Sequence, residues 1–286
     1  MSTITLYRRA LFGRLRAAGL GPAFWTGIAV LGLLVVVGLL APWIAPHDPD
    51  FADLTESMTP PSAEHLLGTD YSGRDVLSRL IHGTRPSLFA PFVVVIVSTV
   101  LGIVLGLVSA WKGGLVDAGV ARVLDLVFAF PALLISIVVV AMVGPGLTAP
   151  VIAMGIAYTP YIARLVRAAA LAEQAKPYVA AYRVQGFAGR TISLRHVLPN
   201  ISGVVFAQST LNFGYALIDL ATLSYLGFGV QPPGADWGNE INQAQQAILL
   251  GAPMSALVPG LAVVLAVVAF NIVGEGIADR VTRRER

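Results

Sequence analysis

Long apolar runs separated by short charged stretches dominate the sequence. Four of the runs have the roughly 20 residues that a membrane-spanning helix needs, and they lie at 23–45, 88–111, 201–227 and about 252–274. A fifth run, 126–163, is long enough for two spans and contains Gly144-Pro145-Gly146, a tripeptide that favours a tight turn. We therefore predict six membrane-spanning helices, the third and fourth at about 120–143 and 147–170.

The composition agrees with this pattern. Apolar residues make up 56% of the 286-residue chain and charged residues 12%, and the mean hydropathy is +0.76. Soluble domains have about 25% charged residues, so an ordinary soluble enzyme, a disordered chain and a nucleic-acid-binding module are excluded. The chain has no cysteine, which excludes disulfides and thiolate chemistry. These features predict an all-α polytopic membrane protein.

The basic residues predict the orientation, because loop Lys and Arg collect on the cytoplasmic side. With both termini inside, 16 of the 19 basic residues lie inside or at the inner interface, and only Arg74, Arg79 and Arg85 lie outside. We predict an N-in, C-in topology. The first run also exceeds the 7–15 apolar residues of a signal peptide, so we interpret it as an uncleaved anchor.

This topology divides the chain into a cytoplasmic N-terminal segment (1–22), a first transmembrane helix (23–45), an extracytoplasmic loop (46–85) and a five-helix core (86–286). The core contains a long cytoplasmic segment, 173–200, and an extracytoplasmic segment, 229–251. In the cytoplasmic segment we predict a short helix ended by Gly186 and a second helical stretch stopped by Pro199. From pattern alone, this hairpin could merely join two spans as an interfacial amphipathic element.

Several motifs point to a known family. The Ala180-Ala181, Gly186 and Leu198-Pro199 spacing resembles the EAA loop of ABC importer permeases. Four further stretches resemble the C-type permeases of dipeptide and oligopeptide importers, and they read LGTDYSGRDVLSR from position 67, LSYLGFGVQPP from 223, FNIVGEG from 270 and APWIAP from 41. Together the motifs extend over nearly the whole chain.

The resemblance implies a type I ABC importer permease fold, a bacterial inner-membrane location and half of a translocation pore for di- or oligopeptides. Nickel chelates or other small cargo remain open. The implied partners are a second homologous permease, two cytoplasmic ATPase subunits and an extracytoplasmic binding protein, with no nucleic acid. The chain itself would be non-catalytic and carry no cofactor, with ATP and Mg bound by the ATPase subunits. Its two lysines follow no phosphate-binding glycine loop.

By the same resemblance, segment 173–200 would couple the pore to the ATPases. The coupling residues would be Ala180, Ala181, Arg183, Gly186, Arg190, Leu198 and Pro199. The family usually has glutamate where this chain has Ala180, and Tyr182 replaces the second alanine. We therefore expect docking to depend on shape and on arginine charge instead of a glutamate salt bridge.

Other polar residues are candidates for substrate passage or docking. Asp219 in the fifth span and Asn212 two turns earlier are candidates for the translocation path, because charges inside a bilayer are costly and often functional; a structural hydrogen bond between helices explains Asp219 equally well. Candidates for binding-protein docking are Asp70, Tyr71, Arg74, Asp75 and Trp237. The alternatives are that Asp and Arg brace the loop locally and that Trp237 is an interfacial anchor.

The remaining alternatives concern other protein classes. An ion-gradient-driven secondary transporter favours paired buried acids and broken helices, and only Asp219 suits it; a membrane-embedded enzyme lacks a credible catalytic set. His47, His65 and His82 share the outer loop with carboxylates, but their spacing matches no compact site. We predict solvated loop histidines and no metal site.

Overall fold

The computed structural model describes residues 21–284. The predicted N-terminal segment 1–22 therefore lies almost entirely outside the described residues. Within that range the secondary structure is helical, apart from an isolated bridge between Thr69 and Asp75. The α-helices, in chain order, are α1 (Pro22–Ile44), α2 (Val76–Lys112), α3 (Gly114–Phe128), α4 (Ala132–Val143), α5 (Thr148–Gln174), α6 (Pro177–Val184), α7 (Gly189–Ile192), α8 (Leu198–Tyr225), α9 (Trp237–Gln243), α10 (Gln245–Leu249) and α11 (Met254–Arg284).

Six membrane crossings follow if one bent pair counts as a single crossing. Five helical segments are long and apolar enough to span a bilayer, and α3 and α4 together form a sixth that bends by 78° at its break. The prediction of one continuous helix at 120–143 is wrong, because α3 ends at Phe128 and α4 begins after Pro131. Proline has no N–H to donate and disfavours a helical conformation in the residue before it.

The second span begins earlier than predicted. Helix α2 starts at Val76, well before the apolar run at 88, and the Asp75 carboxylate caps it by accepting a 2.7 Å hydrogen bond from the Ser78 backbone N–H. Its polar first turns pack against α9, where the Trp237 indole N–H donates to the Leu80 carbonyl at 3.1 Å. The outer end of α2 therefore belongs to the extracytoplasmic layer.

The central packing seam joins α2 to α5 through small residues. A Cβ atom added to Gly102 would lie 2.5 Å from Ile162 Cβ, and one added to Gly106 would lie 2.7 Å from the Ala163 carbonyl oxygen. The two glycines are four residues apart, so they lie on the same face of α2. They allow the two backbones to approach closely, as small residues do in membrane helix pairs.

Pro199 does not stop a helix, contrary to the prediction. A π-helical turn at 193–197 joins α7 directly to α8, and Pro199 lies in the first turn of α8. The missing proline N–H costs little there, because the wider π turn already displaces the regular hydrogen-bond ladder. The cytoplasmic hairpin is therefore continuous with the fifth span, so a movement of the hairpin acts directly on α8.

Candidate functional site

The cytoplasmic hairpin, residues 177–197, is anchored by a buried apolar face. Val179 on α6, Ile192 on α7 and Val197 on the π turn are fully buried. They pack in one cluster with residues of α2 and α5, including Leu107 and Val166. The hairpin is therefore seated on the inner ends of two long helices.

A polar network fixes the base of the hairpin. The Glu173 carboxylate accepts hydrogen bonds from the Tyr178 hydroxyl at 2.7 Å and from Asn200 Nδ2 at 2.9 Å, and Lys176 Nζ lies 2.7 Å from its second oxygen. Burial raises the pKa of the Tyr178 hydroxyl, and the Glu173 carboxylate acts in the same direction. These contacts tie the end of α5 to α6 and to the start of α8.

Aromatic contacts fix the rest of the hairpin. The Tyr182 ring stacks on His196 with centroids 4.1 Å apart, so the residue that replaces the usual second alanine links α6 to the π turn. The Arg183 guanidinium lies 4.8 Å from the centre of the Trp111 ring and donates to Gln174 Oε1 at 3.2 Å. Arg183 therefore braces the hairpin as well as carrying charge.

Most of the predicted coupling residues lie at the surface. Leu198 is half-buried, and the exposed ones are Ala180, Ala181, Arg183, Gly186, Arg190 and Pro199. Gly186 has a φ of +81°, a conformation that favours glycine, and it ends the turn after α6.

Sequence reasoning missed two apolar members of the same surface. The Val184 side chain is 89% exposed, and Phe187 beside the Gly186 turn is also exposed. Val184 lies four residues after Ala180 on α6, and this spacing could have indicated a shared face. We call Ala180, Ala181, Val184, Gly186 and Phe187 the hairpin patch.

Asp219 and Asn212 have separate partners. The Tyr158 hydroxyl of α5 donates a 2.9 Å hydrogen bond to Asp219 Oδ2, and Asp219 is half-buried. Asn212 is buried and accepts a 2.9 Å hydrogen bond from Gln208 Nε2 on its own helix. The expected hydrogen bond between helices is present at Asp219. Only Asp219 of the two is partly accessible and bonded to a second helix.

The outer docking candidates divide into buried and accessible residues. Asp70, Asp75 and Trp237 are buried and organise the outer surface from beneath, and their part in docking stays a prediction. Asp70 accepts hydrogen bonds from the backbone N–H groups of Ser72 and Arg74, which fixes the turn between them. The buried Trp237 is likewise not an interfacial anchor.

Tyr71 and Arg74 remain at the outer surface beside a polar groove. Tyr71 is exposed, and half-buried Arg74 donates to Gln243 Oε1 at 3.2 Å. The groove is lined by Asp70, Tyr71, Ser72, Asn242, Gln243, Gln245 and Gln246. We call it the outer groove, and its side chains are mostly uncharged hydrogen-bonding groups.

A buried ion pair that the sequence did not reveal supports the outer groove. Arg79 is fully buried, and its guanidinium donates to the Glu240 carboxylate at 2.7–3.0 Å through Nε and Nη2. It also donates to the carbonyls of Pro49 and Pro233. Burial raises the pKa of the Glu240 carboxyl, and Arg79 acts in the opposite direction. One arginine thus joins the outer loop, α2, α9 and the segment before α9.

Two family descriptions match the chain. Residues 102–286 match "Binding-protein-dependent transport system inner membrane component". Residues 22–61 match "N-terminal TM domain of oligopeptide transport permease C". The two matches together include α1 and the whole region from the middle of α2 onward.

Curated relatives are similar over most of their length. The chain is 40% identical to the di/tripeptide transport system permease protein DppC of Pseudomonas aeruginosa, over 88% of this chain and 85% of the relative. It is 36% identical to the dipeptide transport system permease protein DppC of Haemophilus influenzae, over 88% of each. Among solved structures, the inward-facing MetNI methionine ABC transporter aligns with a TM-score of 0.48 and 18% identity, over 67% of this chain and 95% of that one.

Proposed function

Because the chain belongs to the family of binding-protein-dependent transport system inner membrane components, we propose that it forms one half of the pore of an ATP-driven importer of di- and oligopeptides. As a member of this family it is a multi-pass inner-membrane transport permease. The peptide cargo is supported by the names of the relatives. The proposal includes a second homologous permease, two ATPase subunits that bind ATP and Mg, and an extracytoplasmic binding protein.

The observation that carries the proposal is the exposed hairpin patch on a rigid base. Its small and apolar side chains face outward, whereas the opposite face is buried against α2 and α5. A surface of this kind suits docking by shape complementarity with a partner's apolar groove. Since the hairpin continues into α8, a partner that pulls on it moves the fifth span.

Ala180 changes the chemistry that is available for docking. No carboxylate is available at that position, so the exposed Arg183 and Arg190 supply charge of the opposite sign. We propose an ATPase groove that is apolar at its centre and acidic at its rim. Complementary rim charge affects the rate and specificity of association more than raw affinity.

The transport cycle assigns roles to the other two sites. The binding protein docks at the outer groove and delivers peptide, and closure of the ATPases opens the pore outward through the hairpin. Asp219, held by Tyr158, offers a carboxylate to the free α-amino group of a passing peptide. Hydrolysis by the ATPase subunits then resets the pore.

The test is Val184→Asp in the assembled transporter. Docking would bury a new unpaired charge in an apolar contact, a costly change, so we expect at least a tenfold loss of ATPase co-purification and of binding-protein-stimulated ATP hydrolysis. Leu54→Asp is the matched control. It also replaces an exposed apolar side chain with aspartate, but Leu54, which is 76% exposed, lies in the outer loop on the opposite side of the membrane from the hairpin. It should leave co-purification unchanged.

Transport in proteoliposomes separates the importer from the ion-driven alternative. Uptake of a labelled dipeptide should require ATP and the binding protein, and Val184→Asp should abolish it. Uptake by the purified chain alone under an ion gradient, unaffected by Val184→Asp, would overturn the proposal and favour a secondary transporter.

A further inference from the structure

Two histidines and two carboxylates converge where the outer loop meets α2. His47 follows the end of α1, His65 lies in the middle of the loop, and Asp75 caps α2. One ligand atom from each of these three residues lies within 4.8 Å of the other two. His65 Nδ1 is 3.0 Å from Asp75 Oδ1, and His47 Nδ1 is 3.9 Å from Asp75 Oδ2. His82 is not part of the group.

Glu56 contacts the nitrogen of His65 that faces away from Asp75. His65 Nε2 lies 3.1 Å from Glu56 Oε2, so a proton on Nε2 donates to that carboxylate. In this tautomer the Nδ1 lone pair faces the Asp75 carboxylate at 3.0 Å, and either a second proton on His65 or a metal ion between the two atoms relieves their repulsion. A histidine that ligates a metal through one nitrogen and donates to a carboxylate through the other is a common metal-site arrangement.

His47 distinguishes a metal ion from a proton at this position. A proton on His65 would satisfy both of its carboxylate neighbours, and Asp75 raises the pKa of His65. A proton on His65 provides no hydrogen bond to His47 Nδ1. This atom is buried and has no hydrogen-bond partner among the residues that the structure describes. A buried polar atom without a partner is costly, and an ion shared by His47, His65 and Asp75 would satisfy all three.

We propose that His47, His65 and Asp75 bind a divalent transition-metal ion of the zinc class on the outer face, with Glu56 orienting His65. Two imidazole nitrogens and one carboxylate oxygen suit zinc, with a fourth position open to water. The His47 side chain is partly exposed, so an ion has a path from outside. The sequence predicted no metal site because spacing along the chain gives no sign of this fold-dependent proximity.

The ion would cross-link three segments of the chain beside the outer groove, where we propose that the binding protein docks. Its ligands come from the end of α1, the middle of the loop and the cap of α2, and Asp75 directly follows the turn at 70–74 that carries Tyr71 and Arg74. Metal binding would hold the three segments in register, and the inference stands independently of the cargo and of the ATPase partners.

Zinc binding tests the proposal directly. The full-length chain in its assembled transporter, purified without a histidine tag and stripped with EDTA, is titrated with Zn²⁺ alone by calorimetry, and Co²⁺ absorption reports the ligand geometry. We expect one ion per chain and a Tm that rises with zinc concentration. His47→Ala should weaken binding more than tenfold, and Glu56→Ala about 10–100-fold. His82→Ala should bind like the wild type.

Two outcomes would overturn the metal site. Equal zinc uptake by the wild type, His47→Ala and His82→Ala would mean adventitious surface binding, and no uptake with an unchanged Tm would leave a proton-bridged His65 only. Glu56→Ala keeps the test valid if His47→Ala misfolds, since the Glu56 side chain is 42% exposed and we expect its removal to leave the fold intact.

Discussion

Arg79 shows how one buried side chain can hold a surface together from beneath. Its guanidinium bonds the Glu240 carboxylate and two backbone carbonyls from separate segments. Taking such a charge out of water is expensive and is offset only when the partners satisfy it well. Sequence reasoning placed Arg79 in the outer loop and in a family motif but gave it no partner, because Glu240 lies 161 positions away.

Removing this arginine should be among the most destabilising single changes on the outer face. Arg79→Met leaves Glu240 buried without its counter-charge, and breaking a buried pair in this way costs about 3–5 kcal/mol. Thermal unfolding in detergent, followed by size-exclusion fluorescence, measures the loss. The matched control is Arg164→Met, whose ion pair with Asp125 is exposed at 43% and 64% and should cost less than about 1 kcal/mol. Equal Tm values for the two variants would contradict the structural role of Arg79.

Substitution of Asp219 tests whether this polar residue inside a span contacts the transported peptide or only stabilises the packing of the helices. Asp219→Asn keeps an acceptor for the Tyr158 hydroxyl but removes the negative charge, so a purely structural role predicts normal transport. If the carboxylate meets the peptide amine, losing a hydrogen bond to a charged group costs about 1.5–3 kcal/mol. We therefore expect dipeptide uptake to fall by about tenfold or more, with binding-protein-stimulated ATP hydrolysis retained.

The control for Asp219 is its hydrogen-bond donor. Tyr158→Phe removes the bond and keeps the charge, and it should reduce uptake less than Asp219→Asn does. The reverse order would assign the pair to helix packing. An N-acetylated dipeptide, which has no free amine, should be insensitive to Asp219→Asn.

At the scale of elements, the apolar runs predicted which segments cross the membrane but not how they bend. Pro131 lies inside a continuous apolar stretch, so hydropathy gave no sign of the break between α3 and α4. Pro199 led to the opposite error. We predicted that a helix stops there, whereas the π turn at 193–197 continues into α8 and Pro199 lies in the first turn of that helix. The hairpin patch was predicted in part from its motif, whereas Val184 and Phe187 emerged only from their exposure in the fold.

The seam between α2 and α5 should tolerate no added volume. The Cβ of Gly106→Ala would lie 2.7 Å from the Ala163 carbonyl oxygen and 2.8 Å from Val166, so the helices must separate. Overpacking of this kind costs about 1–3 kcal/mol, and we expect a lower Tm in detergent. Gly119→Ala on α3 is the control, because no atom of the described residues outside its own helix turn lies within 4 Å of its added Cβ. That change should be neutral or stabilising by up to about 1 kcal/mol, and a similar loss in both variants would argue against a close seam.

At the scale of the whole molecule, fold class was the easiest feature to predict and tertiary proximity the hardest. Hydropathy indicates membrane spans because a bilayer forces each helix to satisfy its own backbone. Basic-residue placement predicts orientation for an equally general reason. His47 and His65, or Arg79 and Glu240, meet only because loops fold back on the outer face, and no local periodicity encodes that.

The topology depends on whether the bent pair α3–α4 crosses the membrane or returns to the side it entered from. If it crosses, Lys112 lies inside and the Gly144–Gly146 turn lies outside, and both termini share one side. If it returns, every segment after residue 143 changes sides, and the basic residues of the hairpin would face outward against the positive-inside rule. We therefore expect the crossing.

Cysteine labelling decides the matter cleanly, because the chain has no cysteine of its own. Pro145→Cys should react with a membrane-impermeant maleimide in spheroplasts, as Leu54→Cys in the outer loop should. Val184→Cys, on the most exposed part of the hairpin, should react only in inside-out vesicles from which the ATPase subunits have been removed. If instead Pro145→Cys reacts only in inside-out vesicles and Val184→Cys reacts in spheroplasts, α3 and α4 form a re-entrant loop and the number of crossings falls to five. Residues 70–72 and 242–246, which together line the outer groove, would then lie on opposite sides of the membrane, and the hairpin patch would face outward. This one labelling pattern therefore bears on the whole proposed mechanism.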